Sequence, residues 1–127
     1  MSVAVPSRMA SEHPNKRPLE GCRIAVKDAF DTKGLRTSNC CRAYLRVYPP
    51  AERSAPPVQK LFDQGACILG KTKLSFFLSR KEPSESVDFP TACNPRGDGY
   101  PGPDGSSSGS TAAVGSRSVL GQTVLAR

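Results

Sequence analysis

The hydrophobic pattern is broken into short pieces. Arg23-Ile24-Ala25-Val26-Lys27-Asp28 follows Gly21, and its β-branched Ile24 and Val26 predict a short strand ending in a lysine and an aspartate. Between Ser54 and Gly65, Val58, Leu61 and Phe62 fall at i, i+3 and i+4, on one face of a helix. Ser54 is the expected N-cap, Pro56 and Pro57 suit the first turn, and Gly65 suits the stop. Ala66-Cys67-Ile68-Leu69-Gly70 then reads as a second buried strand. Strand, helix and strand joined in this way predict a βαβ unit with a parallel sheet, hence an α/β fold class.

The rest is rich in loops. Phe30 to Pro50 reads as loop, with a helical turn around Arg42 to Leu45. Asn94-Pro95-Arg96-Gly97-Asp98-Gly99 is a turn, and Thr111-Ala112-Ala113-Val114 opens a helix after a Gly/Ser run. Residues 1–20 are polar, carry Pro6, Pro14 and Pro18, and are expected to form a disordered lead-in. Residues 21–127 are expected to form one domain with an incomplete sheet.

Composition changes this picture little. Gly and Pro supply 23 of 127 residues and only 37% are apolar, which fits short elements on long loops. The formal charge of +7 raises the question of nucleic acid. The basic residues are scattered, however, and no aromatic platform interleaves with them, so no nucleic-acid partner is expected. The five cysteines form no CxxC pair, and the single histidine, His13, lies in the lead-in. Neither a metal site nor a cofactor is expected. With no secretory h-region and no apolar stretch of membrane-spanning length, the chain is expected to be a cytoplasmic protein with reduced thiols.

Gly65-Ala66-Cys67-Ile68-Leu69-Gly70-Lys71-Thr72 matches the spacing of a phosphate-binding P-loop. That chemistry needs a loop whose N–H groups turn inward on phosphate. Here the four middle residues are the strand itself, whose amides serve the sheet. The motif is therefore read as a strand.

Two features carry candidate chemistry. Lys27 closes a buried strand, where burial lowers a lysine pKa and makes a base of it. Gly105-Ser106-Ser107-Ser108-Gly109-Ser110 leads into a helix; its glycines admit close approach and its hydroxyls relay protons. Each alone has an ordinary explanation, a strand-end lysine reaching solvent or a flexible linker.

Taken in order, the segments Gly21 to Asp28, Asp31-Thr32-Lys33-Gly34, Ala55 to Lys71, Asn94-Pro95 and Gly105 to Val114 resemble the amidase signature family. The resemblance covers roughly residues 20 to 118, and the loop wording looks closest to fungal members, some of which serve secondary metabolism. It implies hydrolysis of a small-molecule carboxylic amide by a Ser–cis-Ser–Lys group. Lys27 matches the general base and Ser106 the bridging serine whose peptide bond is cis. Gly105, Ser107, Ser108 and Gly109 match the loop that supports it.

The family nucleophile lies about two dozen residues past the bridging serine, which runs beyond Arg127, so no nucleophile is expected in these residues. Asp104 stands where the family usually has glycine, and a carboxylate near Lys27 would raise the lysine pKa. Two readings stay open. One is the truncated N-terminal portion of an amidase, inactive alone and completed by a C-terminal amidase fragment. The other is a non-catalytic amidase-like binding or interaction protein.

Overall fold

The computed structural model describes residues 17–78, 88–90, 92–98 and 105–116, and the backbone of the strand at 122–125. Strand β1 (Arg23–Lys27) is followed by helix α1 (Arg42–Val47), helix α2 (Pro56–Asp63) and strand β2 (Cys67–Thr72). A 3-10 turn (Phe76–Leu78), helix α3 (Ser108–Gly115) and strand β3 (Gln122–Leu125) complete the order. The sheet runs β2-β1-β3 with both pairings parallel. The expected βαβ unit is therefore present, and a third strand adds to the far side of β1.

The two faces of β1 do different things. Successive side chains of a strand alternate. Ile24 and Val26 point to one face and pack with Val58 and Ala66, flanked by Leu61, Phe62 and Ile68. This apolar layer seats α2, whose Val58 is fully buried. Ala25 and Lys27 point to the other face. Helix α3 lies against all three strands. Both faces of the central strand are thus covered, as parallel sheets require.

Register also matters. Ile24 pairs with Ile68, but Ala25 pairs with Gly70, so Leu69 is an extra residue in β2. Beyond this bulge Val26 opposes Lys71 and Lys27 opposes Thr72. Lys71 and Thr72 of the P-loop-like spacing are thus part of a paired strand.

Some local details differ from expectation. The N-cap of α2 is Ala55, without a side-chain hydrogen bond. Ser54 Oγ instead accepts from the Lys33 N–H at 3.0 Å, a contact across 21 residues. Arg17–Glu20, within the expected lead-in, form a turn: Leu19 N–H donates to Gln64 O at 2.9 Å, and the Leu19 side chain packs on the core. Residues 1–16 lie outside the described residues. Helix α3 begins at Ser108, one turn earlier than the Thr111 start read from sequence. No described helix is long and apolar enough to cross a membrane.

Candidate active site

Lys27 leaves the last position of β1 on the face away from α2. Only 2% of it is exposed, an uncommon state for a lysine. Its Nζ lies 2.8 Å from Ser106 Oγ and 2.7 Å from Ser107 Oγ. The sheet and the Gly/Ser loop, 79 residues apart in sequence, meet here. The Gly105–Ser106 peptide is cis. Ser107 is the N-cap of α3, yet its hydroxyl makes no cap hydrogen bond and turns to Lys27 instead.

Backbone contacts hold this loop in place. Ser75 N–H donates to Ser106 O at 3.1 Å, and Gly109 N–H donates to Lys73 O at 3.0 Å. Gly109 is required by close approach: a Cβ there would lie 2.5 Å from Lys73 N and 2.7 Å from Lys73 O. Ser110 Oγ and Thr72 Oγ1, 2.8 Å apart, tie the next turn of α3 to β2. At its other end, α3 is met by the Asn94 turn. Asn94 Oδ1 accepts from the Arg96 N–H, and Arg96 Nε donates to Gly115 O at 2.9 Å, placing a cation at the negative end of the helix.

Burial pushes the Lys27 pKa below its ordinary value of 10.5. The positive end of the α3 dipole, at Ser107, acts in the same direction. The consequence for stability has a definite sign. The unfolded lysine keeps its proton up to 10.5, whereas the folded one releases it sooner. Stability therefore rises with pH through the interval between the two values. Wild-type unfolding free energy should rise toward pH 10.5 relative to Lys27→Met, which lacks this titration. Paired denaturant titrations across that interval, with a difference that stays flat, would refute it.

The sequence-predicted residues are brought together. Lys27, Ser106 and Ser107 are in direct contact, and Gly109 fixes the loop by its lack of a side chain. Ser108 is buried at the start of α3 and 7% exposed, and Gly105 precedes the cis bond. Asp104 lies outside the described residues. Ser116 is the C-cap of α3, where its hydroxyl donates to Ala113 O.

Sequence reasoning did not single out the contacts of Asp28 and Lys71. Asp28 Oδ2 accepts from both the N–H and the hydroxyl of Ser38, and Lys71 Nζ lies 3.2 Å from Asp28 Oδ1. Lys71 also donates to Thr37 Oγ1 at 2.7 Å, which donates onward to Asp31 Oδ1. The only hint in the sequence was the charged pair that closes the first strand. A shallow cavity of about 250 Å³ between Asp31, Tyr44, Tyr48 and Glu52 is lined by neither Lys27 nor Ser106.

Known proteins share this arrangement of elements. A glutamyl-tRNA(Gln) amidotransferase subunit from Synechococcus sp. strain CC9311 is 42% identical over 97 residues, covering 76% of this chain and 19% of that protein. The solved Thermotoga maritima subunit of the same name superposes with a TM-score of 0.67 at 34% identity, over 79% of this chain and 21% of that one. Kluyveromyces lactis allophanate hydrolase gives a TM-score of 0.66 at 37% identity, over 82% of this chain and 16% of that one. The chain thus spans about a fifth or less of the length of these proteins. The amidase family profile matches residues 4–122, nearly the whole sequence, and with the parallel sheet and its Gly/Ser loop this makes the chain a member of the amidase family.

Proposed function

We propose that this chain supplies the proton-relay half of an amide-hydrolysing site, with Lys27 as base and Ser106 as bridge. The observation that carries the reading is the buried Lys27 amine 2.8 Å from Ser106 Oγ. A neutral amine has two hydrogens and one lone pair. In that form it can donate one hydrogen to Ser107 Oγ and accept from the Ser106 hydroxyl, which can both give and take a proton. The attacking hydroxyl is supplied by a complementing segment of the amidase fold, outside these 127 residues. Its proton passes through Ser106 to Lys27 as its oxygen bonds to the amide carbon. The same proton returns to the departing amine, and water then releases the acyl group. Burial serves this cycle because it keeps the lysine from holding its proton too tightly.

The substrate class is a small carboxylic amide. The relatives named for glutamyl-tRNA(Gln) amidotransferase and allophanate hydrolase act in reactions their names describe, and neither specificity is assigned to this chain.

The test is complementation. The chain is mixed with the remainder of an amidase fold taken from a relative, and ammonia release from a panel of carboxamides is followed. Ser106→Ala should lower the complemented rate by about 10²-fold or more, the scale of a lost proton-transfer group. Ser107→Ala should cost less, because Ser107 accepts from Lys27 without lying on the path. Equal rates for wild type and Ser106→Ala would sink the relay.

The second reading, binding without catalysis, is favoured by exposed Tyr48, Phe77 and Leu78, each about half accessible. Tyr44 stacks on Tyr48 and meets Phe77 edge-on, which makes a continuous aromatic surface. On that reading, partner capture is unaffected by Lys27→Met.

A further inference from the structure

Asp28 stands next to Lys27 but leaves the strand on the opposite side. It takes no part in the proposed proton path, yet most of its bonding capacity is spent on one turn. Its carboxylate accepts twice from Ser38, its carbonyl accepts from Asn39 N–H at 3.3 Å, and its own N–H donates to Thr72 O. Ser38 Oγ in turn accepts from Cys40 N–H at 3.0 Å. The turn so held contains Asn39 and Cys40 at φ 49° and 55°, a left-handed conformation costly for residues other than glycine. Something must hold it, and Asp28 supplies the bonds that do.

What the turn does next ties it to the site. Asn39 O accepts from Phe77 N–H at 3.0 Å, and Cys40 Sγ accepts from Leu74 N–H at 3.3 Å. Burial first, and the Asp28 charge as well, push the Cys40 thiol pKa up, so the sulfur remains a neutral acceptor. The segment Lys73–Phe77 is thereby fixed from one side. From its other side it holds the Gly/Ser loop, through Ser75 N–H on Ser106 O and Lys73 O on Gly109 N–H. Three connected layers run from Asp28 to the bridging serine.

We infer that Asp28 is a positioning residue for the Lys27–Ser106 pair, acting through the Ser38–Cys41 turn and the Lys73–Phe77 segment. The inference rests on the reading of that pair as a proton relay. Lys71 is part of the device. Its ammonium is 3.2 Å from Asp28 Oδ1, which has no hydrogen bond of its own, and both side chains are nearly buried. One carboxylate oxygen thus faces Lys71 while the other takes both donors of Ser38.

The test uses the 127-residue protein. Asp28→Asn keeps the shape and one acceptor for Ser38 but removes the charge opposite Lys71; Asp28→Ala removes both. Residue-resolved amide hydrogen exchange and the 15Nζ resonance of Lys27 are measured in each. Exchange at Leu74, Ser75, Phe77 and Gly109 should quicken about tenfold in Asp28→Asn, with Ala25 and Val26 changing less than about twofold. The Lys27 resonance should shift with it. Val58→Ala is the control for plain destabilisation, and should quicken exchange throughout without singling out residues 74–77.

The inference is overturned if Asp28→Asn leaves those amides and the Lys27 resonance as in wild type. It is equally overturned if exchange rises uniformly, as in the control. If Asp28→Ala does not fold, Asp28→Asn and Lys71→Met, which removes the countercharge together with the hydrogen bond to Thr37 Oγ1, decide the matter. Failure of the relay reading looks different: the complemented rate is then the same in Ser106→Ala as in wild type, whatever the exchange pattern of Asp28→Asn.

Discussion

Lys27→Met in the complemented enzyme is expected to lower turnover of a carboxamide by about 10²- to 10⁴-fold, the range for a positioned general base. Methionine fills a similar volume, so the covering of β1 by α3 should survive. What is lost is the amine that contacts both Ser106 and Ser107. Lys27→Arg sharpens the result. Guanidinium keeps the positive charge and the donors but does not give up its proton in a protein. A base mechanism therefore predicts that arginine is as inactive as methionine. A purely structural or charge-based role predicts that arginine restores most of the rate. Rates within a few fold of wild type in Lys27→Arg would remove Lys27 from the mechanism. The intact fold is checked in each variant by exchange protection at Ala25 and Val26, in the middle of the sheet.

The parts legible in the sequence were those set by local pattern. β1 and β2 announce themselves by β-branched and apolar residues between glycines, and α2 by three apolar residues at helical spacing. The cap of α2 was misread because Ser54 spends its oxygen on Lys33, a tertiary contact that no local rule contains. β3 escaped because Gln122–Leu125 becomes a strand by pairing with Arg23–Val26, about a hundred positions earlier. The site divides in the same way. Nothing in composition or spacing joins Lys27 to Ser106; the ordered resemblance to a family did that, and the folded chain supplies the 2.8 Å contact. Ser107 was expected only to support the loop. Its direct bond to Lys27 follows from α3 beginning at Ser108, one turn earlier than its apolar residues indicate. Asp28 was visible as a charge at a strand end, but its task depends on where Ser38 and Lys71 arrive.

Gly109→Ala should be the most damaging small substitution in the Gly/Ser loop. In an isolated helix the change would help, since alanine is favoured over glycine by about 1 kcal/mol. Here the added Cβ would sit 2.5 Å from Lys73 N, 2.7 Å from Lys73 O and 3.0 Å from Lys73 Cα. All three atoms are backbone, so no rotamer change relieves the clash. Lys73 cannot easily retreat either: it follows β2 directly, and its carbonyl accepts from Gly109 N–H itself. Overpacking against fixed atoms costs about 1–3 kcal/mol, and an immobile backbone places this case at the upper end. After the gain in helix propensity, a net loss of about 2 kcal/mol is expected. The strain is relieved most cheaply by lifting the start of α3 away from β2, and that motion carries Ser106 and Ser107 off Lys27. Displacement of reacting groups by about 1 Å can cost about 10²-fold in rate, so the complemented enzyme should lose activity beyond its loss of stability. Gly115→Ala gives the contrast on the same helix: its Cβ would meet only the Pro95 side chain, at 3.3 Å. It should leave stability unchanged or raise it by up to about 1 kcal/mol. Denaturant midpoints and turnover measured on the two variants separate the cases. A Gly109→Ala protein as stable and as active as Gly115→Ala would mean that α3 is not braced against Lys73 in solution, and the support assigned to the bridging serine would fall with it.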